Sequence, residues 1–131
     1  MPIDKWVARF YAGAPYQWGG LTPWGIDCSG LVQMALAARG VPMPRDSFLQ
    51  SEIGEPVTIE TARVGDLLFF SENGRSVTHV VIVAAGDTII HSTLSAGGVL
   101  QEPWGPDTRA EFLRPLFVNG RRPPRGEGPA L

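Results

Sequence analysis

Residues Asp27–Gly40, DCSGLVQMALAARG, read as one amphipathic helix that carries the only cysteine of the chain, Cys28, in its first turn. Asp27 is a good N-cap, because a short carboxylate accepts a hydrogen bond from an orphan N–H of the first turn. Leu31, Val32, Ala35 and Leu36 recur at helical spacing and predict a core-facing stripe. Arg39 falls in the last turn, Gly40 is the stop and Pro42 prevents continuation. A thiol at the start of such a helix faces unpaired N–H groups and the positive end of the macrodipole, and both favour thiolate. A free cysteine is also commonly a small buried hydrophobe, and this stretch alone fits both roles.

Working outward, composition bounds the answer. The chain has 131 residues, enough for one core without disulfide staples, and its 44% hydrophobic and 18% charged content is that of a globular domain. A formal net charge of −2, with no basic block before the extreme C-terminus, argues against nucleic acid as the main partner. One cysteine excludes an internal disulfide. No apolar run is long enough to span a bilayer, so no membrane partner is expected. The opening MPIDKWVARF lacks the uninterrupted apolar segment of a signal peptide, so the sequence as written is expected to be cytoplasmic, or secreted or phage-associated if it is a piece of a longer protein.

Before the cysteine helix, Ile3, Trp6, Val7 and Phe10 predict the apolar face of a helix over Ile3–Tyr11, with Asp4, Lys5 and Arg9 turned away. The stretch Tyr16–Ile26, YQWGGLTPWGI, has too many glycines and prolines for regular structure, and its Tyr16, Trp18 and Trp24 suggest the wall of a pocket beside Cys28. After the helix, Arg45-Asp46-Ser47 opens a short helix through about Ile53, with Asp46 or Ser47 as its cap. The pattern then turns to β. A short edge strand at Val57–Ile59 precedes strands at Asp66–Phe70, His79–Ala84, Thr88–Ser92 and Val99–Gln101, and a last one at Glu111–Val118 that Pro115 places at an edge or bulge. Asp66 reads as a turn acceptor. The Pro/Gly-rich end of the chain is expected to be disordered, leaving residues 1–119 as one domain and 120–131 as a tail. Helices followed by an antiparallel meander give an α+β fold.

The only two histidines, His79 and His91, flank one predicted hairpin whose midpoint is Ala85, within the Ala85–Asp87 turn. Residues symmetric about a hairpin turn lie opposite each other and share a face. If the Cys28 helix packs on that face, the three residues supply a nucleophile, a base and an orienter, with backbone N–H groups around Cys28 as oxyanion donors. The same three residues would also make an open zinc site, although close-spaced ligand motifs such as CxxC or HExxH are absent.

In this order, the motifs Tyr16-Gln17-Trp18-Gly19-Gly20, Asp27-Cys28-Ser29-Gly30-Leu31-Val32, Pro44-Arg45-Asp46-Ser47 with Gln50, Gly65-Asp66-Leu67-Leu68-Phe69-Phe70, His79-Val80 and Ile90-His91-Ser92 resemble the NlpC-type family of papain-like cysteine peptidases, which act on bacterial cell-wall peptides. The resemblance implies a papain-like α+β core with the nucleophile helix on an antiparallel sheet. It implies Cys28 as nucleophile, His79 as base and acid and His91 as orienter, with no metal or organic cofactor. It places Tyr16, Asp27, Ser29, Arg45, Asp46 and Ser47 on the substrate side, Asp27 as holder of a substrate amino terminus. The implied reaction is hydrolysis of the γ-D-glutamyl–diamino acid bond of peptidoglycan stem peptides or free muropeptides. Many family members carry SH3-like domains that complete the site; none is read in this sequence, so the resemblance implies that an SH3-like domain or partner is missing from this stretch. Val81 stands where the family often has glycine, which implies either adjusted packing or a narrowed cleft. Two other activities fit the scaffold: a wall-peptide binding module without turnover, and a cysteine amidase or acyltransferase.

Overall fold

The computed structural model describes residues 1–125. Three helices, α1 (Ile3–Tyr11), α2 (Cys28–Ala37) and α3 (Ser47–Gln50), stand with a six-stranded antiparallel sheet. Its strands are β3 (Glu55–Val57), β4 (Leu67–Phe70), β5 (His79–Ala84), β6 (Thr88–Thr93), β7 (Gly98–Pro103) and β8 (Phe117–Arg122), in the order β3-β8-β4-β5-β6-β7. This is the expected α+β architecture. Strands β4 to β7 form the expected meander, but β8 inserts between β3 and β4.

Two apolar layers lie on opposite faces of the sheet. On one, Leu67, Phe69, Val80, Ile82, Ala84 and Ile90 meet the stripe Leu31, Val32, Ala35 and Leu36 of α2, together with Ile3 and Val7 of α1. On the other, Leu68, Phe70, Val81 and Ile89 are covered by Trp104, Ala110 and Leu113. β4 and β5 are buried on both faces, which is why they read as continuous apolar runs.

Several sequence expectations are corrected. In α1, Phe10 is half exposed and Asp4 is buried, because the Asp4 carboxylate accepts the backbone N–H of Ala85 at the end of β5. α2 ends at Ala37, and a tighter turn carries the chain to Gly40, whose φ of +78° suits the stop. The loop after Tyr16 holds a small hairpin, β1 (Leu21–Thr22) with β2 (Gly25–Ile26). α3 spans only Ser47–Gln50, and Asp46 takes its N-cap position without a side-chain bond. Residues Arg109–Leu116, expected in the last strand, form a 3-10 helix that contains Pro115, and β8 starts only at Phe117. A proline has no N–H for a ladder, so the strand begins beyond it, in the sheet interior. The expected tail therefore starts later: Gly120–Arg122 belong to β8 and pair with β3 and β4, while residues 126–131 lie outside the described residues.

Candidate active site

Asp27 builds the first turn of α2 from several directions. One carboxylate oxygen, Oδ1, accepts the N–H of Gly30 at 2.8 Å and the hydroxyl of Ser29 at 3.4 Å. The other, Oδ2, accepts the N–H of Gly19 at 2.8 Å and the Arg45 guanidinium at 2.9 Å. Burial alone would raise this carboxyl, but the bonds from Arg45, Gly19 and Gly30 outweigh it and hold it below the usual range. A carboxylate has about four acceptor positions, so Asp27 is fully engaged by its own chain. Arg45 also donates to Ser29 Oγ at 2.8 Å. Gly30 is required by close approach, since a Cβ there would stand 2.5 Å from the Gly20 carbonyl oxygen. Gln50 donates to the carbonyls of Ser29 and Pro44, and Ser92 donates from β6 to the carbonyl of Ile26. The helix start that carries Cys28 is thus fixed by three separate segments.

The two histidines face each other, although the hairpin is centred differently from the expectation. The pairs Ile82–Ile90, Val83–Ile89 and Ala84–Thr88 centre it on Gly86, so His79 and His91 are diagonal neighbours and not directly opposed. A shift of two positions in the pairing leaves side chains on the same face. His79 Nε2 lies 2.7 Å from His91 Nδ1. That face is the one bearing Val81 and Ile89, opposite the face that receives α2. Cys28 therefore meets the histidines at the start of β5, not across the sheet. Its thiol lies 4.0 Å from the Thr78 carbonyl oxygen, and the N–H groups of Val80, Ser29 and Cys28 lie beside the sulfur.

Two cavities meet at Cys28, Tyr16 and Thr78. One, of about 520 Å³, is lined by Trp18, Ser29, Arg45, Asp46, Ser47 and Phe48. The other, of about 380 Å³, is lined by Glu72, His79, Thr93, Ser95 and Phe112. Eight of the nine residues singled out from the sequence line one or both cavities, and the ninth, His91, stands behind His79. Trp24, expected on the wall, is 85% exposed at the hairpin tip and lines neither cavity. Val81 is buried in the second apolar layer, so its bulk adjusts packing and leaves the cleft alone. Among the described residues, no group of three or more His, Cys, Asp or Glu side chains is arranged to hold a metal ion, and no helix is long and apolar enough to cross a membrane.

Sequence reasoning missed Glu102 and Arg109. Glu102 Oε2 lies 2.6 Å from His91 Nε2, and Arg109 donates to both carboxylate oxygens, at 2.9 and 2.6 Å. The signal was the next hairpin: β7 pairs Leu100 with His91 and Glu102 with Ile89, which puts Glu102 on the histidine face one diagonal step away. Burial would raise the Glu102 carboxyl, but hydrogen bonds from His91 and Arg109 outweigh it and hold the group at about 2.

Burial decides the resting protonation of the other two groups. It pushes the Cys28 thiol up to about 11. Burial, then His91 and Arg109, push His79 down to about 3 against the pull of Glu102. A helix terminus contributes roughly 0.3–1 kcal/mol, whereas burial shifts a pKa by up to several units. Desolvation of both groups therefore opposes the thiolate that helix position suggests and favours a thiol beside a neutral imidazole.

The His79 shift has a consequence for acid stability. An unfolded histidine titrates near 6.5 and the folded His79 near 3, so between these values the unfolded state binds the extra proton and stability falls as pH falls. The matching loss from Glu102 begins only below its ordinary 4.5. Urea unfolding at pH 6.5 and 4.5 is expected to show a loss about 2 kcal/mol larger in the parent than in His79→Gln. Equal losses would mean that the folded state charges His79 readily.

The cysteine on a capped helix start, the paired histidines and the cleft between them are matched by a family. The NlpC/P60 family model covers residues 13–111, three quarters of the sequence, including all nine residues singled out from the sequence together with Glu102 and Arg109. The chain belongs to the NlpC/P60 family. It is similar to the gamma-D-glutamyl-L-lysine dipeptidyl-peptidase of Bacillus subtilis (strain 168), 39% identical over 88 residues that cover 66% of this chain and 30% of that protein. It is similar to the murein DD-endopeptidase MepS/murein LD-carboxypeptidase of Escherichia coli (strain K12), 35% identical over 91 residues, 69% of this chain and 48% of that protein. A crystal structure of an NlpC/P60 family protein from Bacillus cereus ATCC 10987 superposes with a TM-score of 0.79 at 32% identity, over 92% of this chain and 39% of that one. This NlpC/P60 chain spans less than half the length of each of these relatives.

Proposed function

We propose that this NlpC/P60 chain is a cysteine endopeptidase that hydrolyses the amide between γ-D-glutamate and a diamino acid in peptidoglycan-derived peptides. The observation that carries the reading is the meeting of two cavities at the Cys28 sulfur, one on the helix side and one on the histidine side. An amide laid across the sulfur has its acyl portion in the first cavity and its amine portion in the second, beside His79. Tyr16, Ser29, Arg45, Asp46 and Ser47 supply polar contacts for the acyl portion. Asp46 is exposed and takes no side-chain bond at its helix cap, whereas Asp27 is saturated. A substrate ammonium is therefore met by Asp46, with Asp27 holding Arg45 and the helix start in place.

In this mechanism the thiol proton passes to His79 as the sulfur attacks the carbonyl carbon. The resulting oxyanion lies against the N–H groups of Cys28 and Ser29. His79 then returns the proton to the leaving amine, giving an acyl-enzyme thioester. Water, losing its proton to His79, attacks the thioester and frees the acid and the thiol. With a thiol and a neutral imidazole favoured at rest, proton transfer accompanies attack.

The second cavity has one carboxylate among its described lining residues, Glu72, and that carboxylate is close enough to oppose ionisation of Tyr16. A leaving residue with a cationic side chain suits it. Comparing kcat/KM for L-Ala-γ-D-Glu-L-Lys and its norleucine analogue tests the reading. The lysine peptide is expected to be favoured by about 2–5-fold, the range of an exposed ion pair, and Glu72→Gln to erase the preference. Faster cleavage of the norleucine peptide, or of an ordinary α-linked peptide, would contradict it.

A further inference from the structure

We infer that Glu102, clamped by Arg109, is a positioning residue that fixes the tautomers of both histidines and thereby leaves His79 Nδ1 as the proton-accepting atom. The inference follows from counting donors and acceptors along one line. Glu102 is buried, and Arg109 donates to both of its oxygens. An ionised carboxylate only accepts. At 2.6 Å from Glu102 Oε2, His91 Nε2 must therefore carry a hydrogen. A neutral His91 then has a bare Nδ1, which at 2.7 Å accepts from His79 Nε2. His79 in turn holds its hydrogen on Nε2 and keeps an unshared pair on Nδ1. His79 lines the same cavity as Cys28, so that pair is the one left for the thiol. When His79 takes the proton, the positive charge is relayed through His91 to the carboxylate. Arg109 keeps Glu102 ionised and so keeps the order from reversing. It also donates to Ser95 Oγ at 2.8 Å, which anchors it to the wall of the leaving-side cavity.

Part of the inference rests on the proposed hydrolysis, so its test includes readouts that need no substrate. Long-range ¹H–¹⁵N correlation spectra at pH 7 report which nitrogen of each ring is protonated. The parent is expected to show both rings with hydrogen on Nε2. In Glu102→Gln the amide can donate to His91 Nε2, and both rings are expected to switch to hydrogen on Nδ1. The rate of Cys28 alkylation by iodoacetamide, and kcat on L-Ala-γ-D-Glu-L-Lys, are then expected to fall by on the order of 10²-fold with KM little changed. Glu102→Asp, which still only accepts, is expected to keep the parent tautomers, and Arg109→Gln to keep them with a smaller kinetic loss. Should Glu102→Gln unfold, the parent and Glu102→Asp spectra carry the test alone. Hydrogen on Nδ1 of either ring in the parent, or unchanged tautomers and alkylation in a folded Glu102→Gln, would overturn the inference. A parent with the expected tautomers and no cleavage would overturn the proposed hydrolysis and leave the relay standing.

Discussion

Replacing Cys28 with alanine is expected to lower turnover of γ-D-glutamyl peptides by on the order of 10⁴-fold or more while leaving the fold intact. The activity claim follows from the pathway, in which the acyl-enzyme forms on the sulfur of Cys28, the only thiol of the chain. Ser29 lies next in the chain, but its hydroxyl bonds Asp27 Oδ1 and accepts from Arg45. The stability claim follows from the contacts. The first turn is held by Asp27, Gln50 and Ser92, none of which bonds the sulfur. Removing one partly buried sulfur costs roughly 1 kcal/mol, well below the total stability of a domain this size. Product release measured by liquid chromatography, with urea unfolding of the same samples, checks both parts. A folded Cys28→Ala protein with parental turnover would remove the nucleophile from the account.

The second large effect separates the histidines. His79→Ala is expected to cost on the order of 10⁴-fold in kcat, and His91→Ala about 10²-fold. In the proposed pathway His79 both receives the thiol proton and returns it to the leaving amine, so its loss stops two steps. His91 only carries the tautomer and the charge from Glu102 to His79. Without it, water filling the gap can hydrogen-bond to His79 Nε2 and preserve part of the function. Single-turnover rates for the two variants measure the difference. A greater loss in His91→Ala would exchange the two assignments.

These roles were only partly legible in the sequence. Asp27, Leu31, Val32, Ala35 and Leu36 could be placed because a helix sets its own cap and stripe within a few residues. The pairing of His79 with His91 was legible in kind, since an error of two positions in a hairpin keeps the face, but the choice of Gly86 over Ala85 as its centre was not. Asp4 and Phe10 were assigned to the wrong sides because the partner of Asp4, the N–H of Ala85, is 81 residues away. Local amphipathicity carries no record of such a partner. The insertion of β8 between β3 and β4 is long-range in the same sense. Around Pro115, Phe112 and Leu116, like Leu113 and Phe117, are four apart, a spacing that suits the helical turn that forms better than the alternation of a strand.

The ionisation of Cys28 shows which physical effect wins. Helix position alone argues for thiolate, and it was the only electrostatic feature visible in the sequence. Packing of the sulfur against Thr78 and Val80 at the start of β5 is a tertiary event, and its desolvation is the larger effect. Glu102 was missed for a related reason. Its function depends on the diagonal step from β6 to β7, and an isolated glutamate in a short edge strand gives no hint of a buried partner.

Mass analysis of the products from L-Ala-γ-D-Glu-L-Lys tests the central claim most directly. The account predicts two fragments, L-Ala-D-Glu and free lysine, released by the parent protein and absent with Cys28→Ala. An intact peptide after incubation with the parent, cleavage at the L-Ala–D-Glu bond, or the same two fragments from Cys28→Ala would contradict it.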